Sequence, residues 1–408
     1  MEKVFNVKNQ IECISDVLPH IDEMFFGNVN DGLDVVCKNF TRGKIELVMT
    51  ESDYSRLGHS IVQKLKTLPV EVGLLLIEDS DCYFNSIKSM LDKNSGACIA
   101  LGDKDLLSAV RYYSSLYGIC SYAIVTTPNF DKILCDSVWL KTKVLSSEIK
   151  AERFRKIIID QNLIEKSSRE SFAEAFSSSA SKLTSLIDYK MNCFVSGETV
   201  DDWVFAVAKK AISFSLSTPK YENFTAPIIA SQVLLAVING KGSYLLDSGV
   251  ECLKSSLSVF APNLSLAKRE MLAFEKTARI YHLFFSNDFS NLLSTEDYYS
   301  DIELLERESK RDRINFTKNL KIPSERRRTL INLLISKTAS DFKAETTVIL
   351  KAFSKINKIY NAILGENRQR EMASFKQIKN AVTTCSYFTA KTTIFTLARD
   401  MGILKCIN

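Results

Sequence analysis

Four short apolar runs, the first three each leading into a stretch of helical periodicity, constrain the fold of this chain more than any other feature. They are "KIELVMT" at 44–50 before Tyr54 to Thr67, "EVGLLLI" at 71–77 before Asp81 to Lys93, "ACIAL" at 97–101 before Asp105 to Tyr117, and "SYAIVTT" at 121–127. Repeated strand–helix alternation specifies a parallel sheet. The runs are continuously apolar rather than alternating, as strands need to be when helices cover both faces of their sheet. Ligands of such sheets sit beyond the C-terminal ends of the strands. Those ends are Thr50 to Asp53, Glu78 to Ser80, Gly102 to Asp105 and Thr126 to Asp131.

Beyond about Leu145 the pattern changes. "DDWVFAVAKKAISFSL", "AKREMLAFEKTARIYHLFF" and "TTVILKAFSKINKIYNAIL" all place apolar residues three and four apart, which is helical spacing. A chain of 408 residues exceeds one ordinary core. The expected organisation is a Rossmann-like α/β domain over 1–145 followed by an all-helical domain over 146–408. The apolar segment Ala226 to Ile238 contains Pro227, Ser231 and Gln232 and is expected as a buried helix, and no uncharged apolar run reaches the length of a membrane span. The mixed-charge stretch "ELLERESKRDRINFTKNLKIPSERRRTL" is expected as solvated helix and connector.

The net charge of +5 comes from 53 basic residues interspersed with 48 acidic ones, so no basic stripe marks a nucleic-acid surface. The N-terminal residues lack the basic-then-apolar order of a signal peptide, and a cytoplasmic protein is expected. The ten cysteines, at 13, 37, 82, 98, 120, 135, 193, 252, 385 and 406, show no CxxC pair and are expected as reduced thiols.

Three further strings add a resemblance. "SASKLTSLIDYKM" (Ser179 to Met191), "DSGVECLKSS" (Asp247 to Ser256) and "AVTTCSYFTAKTTIFTLARDMGIL" (Ala381 to Leu404) resemble, in order and spacing, segments of the sn-glycerol-1-phosphate dehydrogenases. These belong to the superfamily of iron-containing alcohol dehydrogenases and dehydroquinate synthase. The resemblance implies a dehydroquinate synthase-like fold and an enzyme that reduces dihydroxyacetone phosphate with NAD(P)H and one divalent metal, held by an Asp and two His residues. A metal there would polarise the carbonyl while the cofactor delivers hydride.

By the same resemblance, the three ligand positions are occupied by Ser178, Cys252 and Lys268, and a further family His position by Ser256. A hydroxyl, a thiol and an ammonium make a poor dication site, because only the cysteine binds such metals well. The three histidines, His20, His59 and His282, lie at none of these positions, and surface or core roles are expected for them.

The phosphate turn is altered as well. The family's Gly-x-Gly-Thr/Ser turn, with an Asp and a Lys further along its helix, corresponds to Gly102, Lys104, Asp105, Ser108 and Arg111, of which only Gly102 and the basic character of Arg111 remain. Side chains at Lys104 and Asp105 obstruct the approach of a pyrophosphate to the backbone, and Asp103 or Asp105 can cap the helix in its place. Lys104 can alternatively bind a phosphate as a point charge. The nicotinamide-side string keeps Thr126 and Asp131, with Asn129 and Lys132 at altered positions.

These replacements lead to the expectation of a pseudoenzyme without a tightly held metal or NAD(P), serving as a binding or scaffold protein. Its expected partner is a small phosphorylated metabolite or a protein, with neither nucleic acid nor membrane, and the family's habit implies a homo-oligomer. The rival reading is an active NAD(P)-dependent reductase of dihydroxyacetone phosphate or a related polyol phosphate, with Asp131, Lys268 and Arg111 in place of the lost groups. A dehydroquinate synthase-like activity would need both NAD and a metal.

Overall fold

The computed structural model describes residues 7–12, 18–38, 40, 43–78, 83–141, 146–218, 224–242, 249–286, 298–309, 325–365, 372–388 and 393–401. The chain divides into two compact units, Met1–Ala175 with Ser213–Tyr244, and Phe176–Ile212 with Leu245–Asn408.

In the first unit six parallel strands form one sheet in the order β1-β8-β5-β4-β2-β3. They are β1 Met24–Phe26, β2 Lys44–Thr50, β3 Glu71–Ile77, β4 Ala97–Gly102, β5 Cys120–Val125 and β8 Lys156–Ile159, while β6 Ser137–Lys141 and β7 Ser146–Lys150 pair separately as an antiparallel ladder. All four apolar runs read from the sequence are strands of this sheet. Strands β1 and β8 were not anticipated, since segments of three and four residues are too short to show a period.

The central strands are buried on both faces, as their composition requires. Leu47, Met49, Ile99, Leu101 and Ile124 pack with Val29, Leu33 and Val36 of the Val29–Cys37 helix and with Ile61 and Leu65 of the His59–Leu65 helix. The alternate residues Val48, Cys98, Ala100 and Ala123 are equally buried on the opposite face. The Lys104–Tyr117 helix packs there, against β4 and β5. Burial pushes the Cys98 thiol up to about 12. The chain steps from β2 outward to β3, returns across β2 to β4, and continues the opposite way to β5. The strand order therefore reverses between β2 and β4, which fixes the crevice where a ligand of such a sheet would sit.

The second unit is helical. It includes Phe176 to Ser196 of the Arg169–Ser196 helix and the helices Gly249–Phe260, Leu266–Ser286, Tyr298–Ser309, Glu325–Leu364, Phe375–Thr384 and Ile394–Asp400. The 310–324 part of the charged stretch lies outside the described residues. The expected buried helix, Thr225–Lys241, belongs to the first unit and is buried from Thr225 to Gly240. No helix among the described residues is long and apolar enough to cross a membrane. Cys37, Cys98, Cys120, Cys135, Cys193, Cys252 and Cys385 are free thiols, and Cys13, Cys82 and Cys406 lie outside the described residues.

One buried carboxylate ties four helices of this unit. Asp188 Oδ2 accepts from Gly249 N at 2.8 Å, and Oδ1 accepts from Ile394 N at 3.3 Å and from the Tyr281 hydroxyl. Gly249 and Ile394 each begin a helix, so the carboxylate lies at two positive helix ends. Complete burial nevertheless dominates over these donors and pushes the carboxyl up to about 7.

The sign of the resulting pH dependence follows from linkage. Between the unfolded value near 4 and the folded value of about 7, the folded state binds more protons, so stability falls as pH rises through that window. Thermal melts are expected to show a lower melting temperature at pH 8 than at pH 5. Asp188→Asn should flatten that slope and cost about 1–3 kcal/mol, because one backbone N–H then faces an amide N–H.

Candidate functional site

The crevice between β2 and β4 is bounded by two strand-to-helix turns. After β4, Gly102 leads into Asp103, which caps the Lys104–Tyr117 helix. Asp103 Oδ1 accepts from Asp105 N at 3.1 Å and from Leu106 N at 2.9 Å. Of the two caps the sequence allows, Asp103 is the one formed. Burial pushes its carboxyl up, against the pull of the two N–H groups. The helix closes at Gly118, whose φ of 69° is left-handed and whose N–H reaches the Ser114 and Ser115 carbonyls.

Gly102 has lost its open face. A Cβ at this position would lie 2.3 Å from Leu106 Cδ2, and Leu106 is fully buried. The bare backbone that a pyrophosphate would approach is therefore covered by a leucine of the same turn. Lys104 is paired with Glu174, and Ser108 Oγ donates back to Lys104 O at 2.6 Å. Arg111 is 3% exposed. Its guanidinium donates to Ile133 O at 2.8 Å and to Ser137 O, so its charge is used to hold two backbone carbonyls.

On the β2 side, Thr50 Oγ1 accepts from Asp53 N at 3.1 Å, and Asp53 Oδ1 accepts from Arg56 at 3.0 Å. The two turns thus place Asp53 and Asp103 at the ends of β2 and β4, where their carboxylates accept from Arg56 and from backbone N–H groups that a phosphate would otherwise use. These residues do not fit the phosphates of NAD(P).

The loop that the resemblance assigns to the nicotinamide side is tightly held. Thr126, Asn129 and Asp131 are buried. Thr126 N donates to Gly102 O at 3.1 Å, and Gln232 Oε1 accepts from Phe130 N and Asp131 N at 3.2 and 3.1 Å. Asn239 donates to Asp131 O at 2.8 Å. Gln232 and Asn239 lie on the buried Thr225–Lys241 helix. The sequence signal for them was the polar residue within an apolar helix.

The positions that the resemblance assigns to the metal fall in the second unit. Ser178 and Cys252 are buried, and Ser256, one turn beyond Cys252, hydrogen-bonds Thr384 at 3.0 Å. Lys268 is exposed in the first turn of the Leu266–Ser286 helix. Ala267 and Glu270 are the buried residues of that turn, and Glu270, 1% exposed, is one that the sequence reading missed. Glu270 accepts from Ser181 Oγ at 3.1 Å and lies 2.7 Å from Lys254 Nζ, which also lies 2.8 Å from Glu251. The helices that carry the family's ligand positions are therefore joined by a lysine between two carboxylates. Among the described residues no three His, Cys, Asp or Glu side chains converge as metal ligands. A hydroxyl, a buried thiol and an exposed ammonium do not fit a hard or borderline dication.

The histidines have local roles. His20 bonds Glu23 at 2.8 Å and Arg153 at 2.9 Å, His59 bonds Gln63 at 2.9 Å, and His282 is half-buried with Nδ1 3.5 Å from Thr347 Oγ1.

No protein-family model matches the sequence, and no curated protein matches it. Solved structures do match its fold. An iron-containing alcohol dehydrogenase from Corynebacterium glutamicum aligns with a TM-score of 0.58 at 12% identity, over 94% of each chain. One from Thermotoga maritima aligns with a TM-score of 0.56 at 11% identity, over 93% of this chain and 97% of its own. Glycerol dehydrogenase from Schizosaccharomyces pombe aligns at 0.52 and 11% identity, over 86% of this chain and 95% of its own. The chain has the fold of the iron-containing alcohol dehydrogenases, a parallel α/β sheet followed by a helical region.

The Asp103 cap has a measurable consequence. Asp103→Ala should destabilise the protein by about 1 kcal/mol in urea unfolding, whereas Asp103→Asn, which keeps an acceptor, should cost a few tenths.

Proposed function

We propose that this protein is a glycerol-1-phosphate dehydrogenase-like pseudoenzyme, a binding or scaffold protein that keeps the dehydrogenase fold without metal-dependent hydride transfer. One observation carries the reading. Where the fold offers a helix N-terminus to phosphate, Asp103 already accepts from the Asp105 and Leu106 N–H groups and Leu106 closes the face of Gly102. The carbonyl-polarising metal has no counterpart in Ser178, Cys252 and Lys268.

The rival reading, an active NAD(P)-dependent reductase of dihydroxyacetone phosphate or a related polyol phosphate, assigns new roles to Arg111 and Lys268. It is disfavoured because Arg111 is buried on backbone carbonyls and Lys268 is exposed. A small phosphorylated metabolite or a protein partner remains the ligand class proposed.

A cofactor that binds only the folded state raises the melting temperature according to its concentration relative to Kd. Millimolar NADH or NADPH is expected to shift the melt of this protein little. Asp103→Gly with Lys104→Gly and Leu106→Ala should make a shift measurable, since it frees the two N–H groups and uncovers Gly102 while β4 and its helix remain. Strong stabilisation of the unmodified protein by either cofactor would overturn the reading.

Elemental analysis after dialysis supplies a second check. Zinc, nickel and iron are each expected well below one ion per chain. A stoichiometric ion that is lost in Cys252→Ser would instead favour the active reductase.

A further inference from the structure

We propose that a groove in the second unit binds a small organic cation, an ammonium carried on an apolar body. The groove lies between the C-terminal half of the Arg169–Ser196 helix and the Glu325–Leu364 helix, and its volume is about 580 Å³. That is the size of a small-molecule pocket. All of its lining residues belong to the second unit, whereas the Gly102 turn belongs to the first.

The floor is apolar and the rim is not. Cys193, Leu334 and Phe342 are buried in the floor, and the half-buried Phe194 adds a second ring. Burial pushes the Cys193 thiol up, so the floor carries no thiolate. Gly197 follows the first helix at a φ of 76°, and Glu198 N then donates to Cys193 O at 2.9 Å. That turn folds the chain back over the helix end, and Glu198 and Val200 become part of the lining.

Charge selects the occupant. Although the chain carries a net +5, the groove is lined by the carboxylates of Glu198, Asp341 and Glu345 against the one ammonium of Lys190. Lys190 is already used, since it pairs with Glu345 and its Nζ lies 5.1 Å from the centre of the Phe205 ring. Glu198 and Asp341 are exposed at the rim and have no cationic partner among the described residues. The Thr338 hydroxyl donates to Leu334 O at 2.7 Å, so its proton is committed to the helix. An anionic ligand would meet two unpaired carboxylates, and a neutral polar one would give up water without gaining a donor. An ammonium on a hydrocarbon body matches each part of the lining. The rim carboxylates attract its charge, aromatic rings favour a cation over an anion, and the floor takes the apolar remainder.

The test uses the full-length protein and three probes on one carbon skeleton, phenylbutylammonium, phenylbutanol and phenylbutyrate, read by titration calorimetry and saturation-transfer NMR. Phenylbutylammonium should bind saturably and about fivefold more tightly than phenylbutanol, the modest gain that exposed carboxylates supply, and phenylbutyrate should bind more weakly than either. Glu198→Gln with Asp341→Asn should remove the preference for the ammonium while phenylbutanol binding stays unchanged, a result that misfolding could not produce. Ala344→Trp, at an exposed lining position, should fill the groove and abolish binding of all three probes with an unchanged circular dichroism spectrum. Thr338→Trp is the second filling variant. Absence of saturable binding, equal affinity for the ammonium and the carboxylate, or binding that survives both filling variants would overturn the proposal. A tetralysine peptide that binds where phenylbutylammonium does not would overturn it too, and would assign the groove to a basic protein partner. None of these outcomes bears on NADH binding in the first unit, so they are separable from the pseudoenzyme reading.

Discussion

A parallel sheet buried on both faces has only its strand ends to offer a ligand, and the organisation of the first unit follows from that constraint. Helices occupy the faces because the strands are apolar throughout. The reversal of strand order between β2 and β4 leaves one crevice, and whatever the Gly102 and Thr50 turns carry decides what can enter it. In this chain they carry aspartates. Asp53 and Asp103 both serve their own helix starts or neighbours, accepting from Arg56 and from backbone N–H groups. Stabilisation of the fold and occupation of the ligand position are here the same hydrogen bonds.

The architecture was legible in the sequence to the extent that burial imposes a pattern. The runs "KIELVMT" and "EVGLLLI" coincide with β2 and β3, and Ala226 to Ile238 lies inside a helix whose burial was anticipated. Segments β1 and β8 left no trace, because three or four residues complete no pattern against their surroundings. The cap at the Gly102 turn was legible from side-chain chemistry, since Asp103 was one of its two candidates, but the closure by Leu106 was not. That closure depends on where a leucine side chain four residues along the turn comes to rest.

Buried polar residues divide along the same line. Asp188 stands alone in the apolar string "SLIDYKM", and a lone acid on an apolar helix face signals a buried, partnered carboxylate. Its partners could not be read, since Gly249, Tyr281 and Ile394 are brought to it from three other helices. Glu270 and Lys254 were hidden for the opposite reason. They lie in charged surroundings, "AKREM" and "VECLKSS", where only the rotation of each helix tells the inward residue from the solvated one. Lys268 lies between the two residues of its turn that face inward, Ala267 and Glu270.

The two altered regions share a physical logic. At the β4 turn the fold presents a partial positive charge, and the chain supplies the anion itself through Asp103. Between the Gly249–Phe260 and Leu266–Ser286 helices it presents the carboxylates of Glu251 and Glu270, and the chain supplies the cation itself through Lys254. An internal counter-charge removes the electrostatic reason to recruit a phosphate or a metal. It also leaves each helix end and each buried acid satisfied without a ligand, because an unpaired charge in either place would cost several kcal/mol. A protein that had merely lost its ligands would carry unpaired groups there. Here both places are paired, so the groups in them are electrostatically satisfied by the chain's own residues.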